Sequence, residues 1–132
     1  MANLKKSKGK KGILWVSLNE QSPPVPPRFS ELPKHFHVTL AFNCLEESYK
    51  DLIGKGVEIA VNSDCYDQNI QALSVSLPSE VAALCENPNP HVTISMCEGV
   101  RPVESNRMLS SDHSFSGRVP NTLHGKVEFH SF

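Results

Sequence analysis

Two copies of one four-residue pattern, His37-Val38-Thr39-Leu40 and His91-Val92-Thr93-Ile94, sit in apolar runs of the chain. An extended strand alternates its side chains between two faces. Each copy therefore sets His and Thr on one face and two aliphatics on the other. A strand of this kind buries its aliphatic face and offers an imidazole beside a hydroxyl from the opposite one. Two such strands brought together surround one cavity with two imidazoles and two hydroxyls. That set suits acid–base chemistry on a phosphate ester without a metal.

The rest of the chain reads as short elements. Ile13 to Leu18 alternates as a strand, with Leu14, Val16 and Leu18 on one face and Trp15 and Ser17 on the other. Pro23, Pro24, Pro26, Pro27 and Pro33 exclude helix or central strand over 20–34 and predict a loop. Phe36 to Phe42 is the second strand. Leu45 to Ile53 is expected as a short helix stopped by Gly54 and Gly56. Gly56 to Asn62 and Ile70 to Leu77 read as a hairpin with a polar turn over 63–69. Ser79 is an expected N-cap for a helical piece to Cys85, and Asn87-Pro88-Asn89-Pro90 is a break. His91 to Met96 is a strand. Pro102 opens an expected helix to about Leu109, 110–120 is a loop, and Leu123 to Phe132 holds the last strand, with Val127 and Phe129 on one face. Each His-x-Thr strand is followed by a short helix, a faint duplication that predicts two similar lobes facing across a cleft.

At 132 residues, with 39% apolar and 20% charged residues, one domain over 13–132 is expected. The lysines at 5, 6, 8, 10 and 11 lie among glycines, and 1–12 reads as a flexible basic tail. A net charge of −1 gives no global field that attracts nucleic acid. The N-terminus lacks the apolar core of a signal peptide, and no apolar run reaches about 18 residues, so a cytoplasmic protein free of the membrane is expected. Cys44, Cys65, Cys85 and Cys97 form no Cys-x-x-Cys pair and read as reduced thiols.

Hydrolysis of a phosphodiester without a metal needs a base for water, an acid for the leaving oxygen and donors for the phosphoryl oxygens. Imidazole serves both proton transfers because its unperturbed pKa is about 6.5, and each well-placed transfer contributes roughly 10²–10⁴-fold. Thr39 and Thr93 are the candidate phosphate binders. His35 and Ser95 share the cleft face by period and are candidate pocket residues, as are Trp15, Tyr66 and Arg101. Phe42 and Phe115 are further candidates for stacking on a base, and Lys34 for meeting phosphate. His113, His124 and His130 read as structural or solvated. No metal site and no cofactor are expected, since His37, His91 and Asp64 do not cluster at ligand spacing.

The paired motifs resemble those of the two-histidine phosphoesterase superfamily. The segment HVTISMCEGVRPVESNRML is similar to the second motif of myelin-type and tRNA-ligase-type 2′,3′-cyclic phosphodiesterases. The resemblance implies His37 and His91 as the acid–base pair, and Thr39 and Thr93 as phosphate binders. It also implies an α+β fold of two antiparallel sheets across a central cleft, helices outside, related by a pseudo-twofold axis. The expected activity is hydrolysis of 2′,3′-cyclic phosphates of nucleotides or RNA ends by a monomer. Two alternatives are a viral-type nuclease that degrades cyclic oligonucleotide messengers, and a module that binds nucleotide or RNA without turnover.

Overall fold

A computed structural model describes residues 10–117 and 119–132. Seven strands carry the fold: β1 (Lys11–Leu18), β2 (His37–Leu45), β3 (Gly56–Tyr66), β4 (Ile70–Ser76), β5 (His91–Met96), β6 (Ser114–Ser116) and β7 (Thr122–Ser131). Two short helices interrupt them, α1 (Ser79–Ala82) and α2 (Glu104–Leu109). The first nine residues of the expected basic tail lie outside the described residues. Lys11 and Gly12 already belong to β1.

The expected α+β pair of sheets with helices outside does not form. All strands join one antiparallel sheet in the order β2-β1-β7-β3-β4-β5, with β6 added beside β3, and the sheet curls into a nearly closed barrel. The reason lies in β7. Its residues Gly125 to Ser131 pair with β1, and its residues Thr122 to Lys126 pair with β3. One long strand thereby bonds the two halves that the duplication predicted as separate lobes. The helices span only four and six residues, too little to form a layer.

Curling brings the ends of the sheet, β2 and β5, together. Just ahead of β5, the Glu86 amide donates to the Leu40 carbonyl of β2 at 2.7 Å. At the far end of β5, Glu31 and Met96 exchange two backbone hydrogen bonds of 3.0 and 2.9 Å. The core fills the inner face with Leu14, Val16, Val38, Leu40, Ile59, Leu73, Val92, Ile94 and Val127, all fully buried. Burying such a side chain contributes about 1.5–3 kcal/mol. Both His-x-Thr strands are therefore held by their Val and Leu or Ile residues.

Several boundaries differ from the sequence reading. β2 runs on to Leu45, so the expected helix shrinks to a 3-10 turn, Glu46–Tyr49; the glycine stop is present, with Gly54 at φ +96°. β3 continues through Tyr66, where Asp64 to Tyr66 pair with β4 on one side and with β6, inside the expected 110–120 loop, on the other. The hairpin turn is then short, closed by Asp67 Oδ1 accepting from the amides of Asn69 (2.7 Å) and Ile70 (3.0 Å). Ser79 does not cap α1; Pro78 occupies that position without a side-chain bond. α2 begins at Glu104, after a turn at Pro102 and Val103. Among the described residues no helix is long and apolar enough to cross a membrane.

Candidate active site

A cleft of about 660 Å³ opens between β2 and β5. His37 and Thr39 line it from β2, His91 and Thr93 from β5, Trp15 and Ile13 from β1, and Leu32 to His35 from the proline-rich loop. Asn87, Met96, Pro102, Val103 and Asn106 complete the wall. The face-sharing predicted for each His-x-Thr pair is thus present, and one cavity collects both pairs.

Phe42 enters the cleft through a bulge. Thr39 pairs with Trp15 and Ala41 with Leu14, leaving Leu40 as an extra residue. Leu40 and Ala41 are both buried, the alternation shifts by one, and Phe42 returns to the face of His37 and Thr39. It stands 65% exposed at the mouth, its ring 5.4 Å from that of Phe132.

The two imidazoles are held alike. His37 Nδ1 lies 3.0 Å from the His35 carbonyl, and His91 Nδ1 lies 2.7 Å from the Asn89 carbonyl, two residues back in each case. A carbonyl only accepts, so both rings carry a proton on Nδ1. In neither ring does Nε2 bond to a described residue, which leaves that nitrogen for a ligand. Burial pushes the pKa of His37 down to about 4, against the bond to the His35 carbonyl; nearby His35, His91 and His130 lower it further. Burial also lowers His91, again opposed by its backbone bond. Burial thus favours the neutral form of both rings, and an anionic ligand would counteract that shift.

The hydroxyls differ. Thr93 Oγ1 is 2.9 Å from Ser105 Oγ, a fully buried group on α2, and 3.4 Å from the Pro102 carbonyl. Thr39 has no hydrogen-bond partner for its hydroxyl among the described residues. The Asn87 side chain donates to Asn106 Oδ1 at 2.8 Å, which orients the Asn106 amide with its NH₂ unengaged at the cleft wall. Ser105, Asn87 and Asn106 were missed in the sequence; Asn87 stood out only as part of a chain break.

Three candidate pocket residues lie elsewhere. Ser95 does not face the cleft: a register shift between β4 and β5 spoils the alternation, and Ser95 is fully buried. Its hydroxyl donates to Gln71 Oε1 at 2.6 Å and accepts from the amides of Arg28 and Phe29. Tyr66 lies under the Arg28 guanidinium, 3.6 Å from its ring centroid, away from the cleft. Arg101 is exposed and does not line the cavity. Phe115 is exposed on β6, also outside the cleft. Trp15 is in the cleft, but its faces are taken by His35, His37 and His130, at 4.7, 4.0 and 4.1 Å between centroids. His130 thus packs on Trp15 as well as pairing with Glu128 at 3.2 Å. Asp64 accepts from Gln71 at 3.0 Å, and no group of three or more His, Cys, Asp or Glu among the described residues is placed to hold a metal.

Comparison with family models gives first the class, a phosphodiesterase domain of RNA processing. The chain belongs to the fungal tRNA ligase phosphodiesterase domain family, whose model matches residues 45–131. That is the branch the motif resemblance indicated. The matched span includes His91, Thr93 and the strands β3 to β7, but not β1 or the His37–Thr39 pair of β2. No curated protein matches the chain.

Proposed function

We propose that this phosphodiesterase hydrolyses 2′,3′-cyclic phosphates at RNA ends or on nucleotides, with His37 and His91 as its acid–base pair. One imidazole takes a proton from water through Nε2 as the water oxygen bonds to phosphorus. The other, held as the imidazolium by the bound anionic phosphate, gives its Nε2 proton to the ribose oxygen whose bond to phosphorus breaks, and a phosphomonoester is left. Thr39 and Thr93 donate to the nonbridging oxygens, where charge builds up. The observation that carries this reading is the matched pair of Nδ1-anchored imidazoles, each with its threonine, around one cleft. These four side chains supply every role the reaction needs, so no metal is assigned one.

The exposed Phe42 ring, beside Phe132 at the mouth, suits a nucleobase stacked outside the phosphate. The tRNA-ligase family favours an RNA end over a cyclic oligonucleotide as substrate. The test is turnover of RNA bearing a 2′,3′-cyclic phosphate in the presence of EDTA, with His37→Ala and His91→Ala as controls.

A further inference from the structure

Each imidazole is anchored on the carbonyl two residues before it, but among the described residues only His37 has a second ring behind it. His35 Nδ1 lies 3.4 Å from His37 Nδ1, and His35 Nε2 lies 2.9 Å from Ser17 Oγ. The His35 ring is stacked on Trp15, nearly parallel at 14°, and Trp15 in turn touches His37. The register explains the grouping: Ser17 pairs with His37 across β1 and β2, and Trp15 pairs with Thr39.

Proton bookkeeping settles the tautomer of His35. His37 Nδ1 must carry a proton, because it faces the His35 carbonyl at 3.0 Å. Two N–H groups do not point at each other, so neutral His35 presents a lone pair at Nδ1 and carries its proton on Nε2, donating to Ser17 Oγ. The His37 N–H is then shared between the His35 carbonyl and the His35 ring. We infer that His35 is a positioning residue: held by Ser17 and Trp15, it gives His37 a second acceptor that fixes the ring and supports its imidazolium form. His91, with Asn89 at the corresponding position, has no such partner among the described residues.

Whichever proton His37 handles, it passes through the imidazolium with Nδ1–H retained, and an acceptor behind that proton strengthens as the charge appears. Other groups facing this cluster are His130 and Glu128 of β7 and, across the cleft, His91. Glu128 favours a charged His35 and His130 opposes it; burial keeps His35 below the ordinary imidazole value. The lone pair is thus present at neutral pH and is lost on acidification.

The inference rests on the reading of His37 as one of the acid–base pair, and its test separates the two. Nitrogen-15 spectra of the wild-type imidazoles at neutral pH require no turnover. The expected result is opposite tautomers, His37 with its proton on Nδ1 and His35 with its proton on Nε2. A His35 ring protonated on Nδ1 overturns the inference, whatever the activity. Kinetics then compare two variants. His35→Asn places an amide oxygen where Nδ1 stood; His35→Gln reaches toward Ser17 and leaves the His37 N–H with the carbonyl alone. His35→Gln should lower kcat about tenfold, with KM changed less than about twofold, and His35→Asn should recover most of the loss. Equal losses in both variants, or wild-type kcat in His35→Gln, overturn the positioning role. If His37→Ala keeps full turnover, the acid–base reading of His37 has failed instead, and the spectra still decide the contact.

Discussion

The half-buried imidazole of His37 ties folding to pH in a way a single substitution can isolate. In the folded protein its pKa is pushed down to about 4, first by burial, from the ordinary 6.5. The unfolded chain therefore takes up a proton at His37 as pH falls through 6.5, and the folded chain resists until pH approaches 4. In that window the unfolded state binds more protons, so stability falls with falling pH. One pKa unit corresponds to ~1.4 kcal/mol, so by about pH 4.5 the wild type should lose about 2–3 kcal/mol through His37. His37→Gln keeps a neutral amide in place and cannot lose it. Other groups that titrate in this range, His35 and His91 included, are common to both proteins. Urea denaturation followed by the fluorescence of Trp15 at about pH 7.5 and about pH 4.5 measures the difference. The wild type should lose about 2–3 kcal/mol more than the variant on acidification. An equal loss in both refutes the argument that burial holds His37 neutral.

The two threonines should separate activity from stability. Each substitution to Ala removes a hydrogen bond to a charged phosphoryl oxygen, on the order of 1.5–3 kcal/mol, and should cost less turnover than loss of its neighbouring histidine. Thr93→Ala should also lower the melting temperature, because it strips the buried Ser105 hydroxyl of its 2.9 Å partner, whereas Thr39→Ala should not. A second substitution tests the strand that joins the sheet halves. A methyl group at Gly125 would lie 2.5 Å from the Ser17 carbonyl oxygen and 2.7 Å from Val16 Cγ1. Gly125→Ala should destabilise the fold by about 1–3 kcal/mol or more in the same urea titration, and an unchanged midpoint would show that β1 and β7 are less tightly apposed.

The two His-x-Thr strands were legible in the sequence because each sets His and Thr toward one cleft and buries the aliphatics between and after them. His91–Met96 is bounded as expected, and β1 buries Leu14, Val16 and Leu18 as its alternation predicts. Strand pairing at a distance was not legible. Nothing local in Thr122–Ser131 says that one half pairs with β1 and the other with β3, and this sharing turns two expected sheets into one. The same limit applies within the cleft. Periodicity placed Ser95 beside Thr93, but a register shift set by the partner strand turned it into the anchor for Arg28 and Phe29. Conversely, a bulge in β2 returned Phe42 to the cleft, against simple alternation from Thr39. The carbonyls of His35 and Asn89 that fix the imidazole tautomers are backbone groups, which no motif of side chains encodes.

Two imidazoles are proposed to perform the whole proton inventory of phosphodiester hydrolysis. The most direct measurement is single-turnover cleavage of RNA ending in a 2′,3′-cyclic phosphate, with EDTA present, by the wild type, His37→Ala, His91→Ala and the double variant. The wild type should produce a terminal phosphomonoester, and should do so faster than it opens a 3′,5′-linked cyclic oligonucleotide. Each single variant should fall by at least about 10²-fold while still folded, and the double variant should be little worse than the poorer single one, since the two residues act as a unit. Full activity in either folded single variant, or activity abolished by EDTA and restored by zinc or manganese, would contradict a metal-free mechanism run by these two imidazoles.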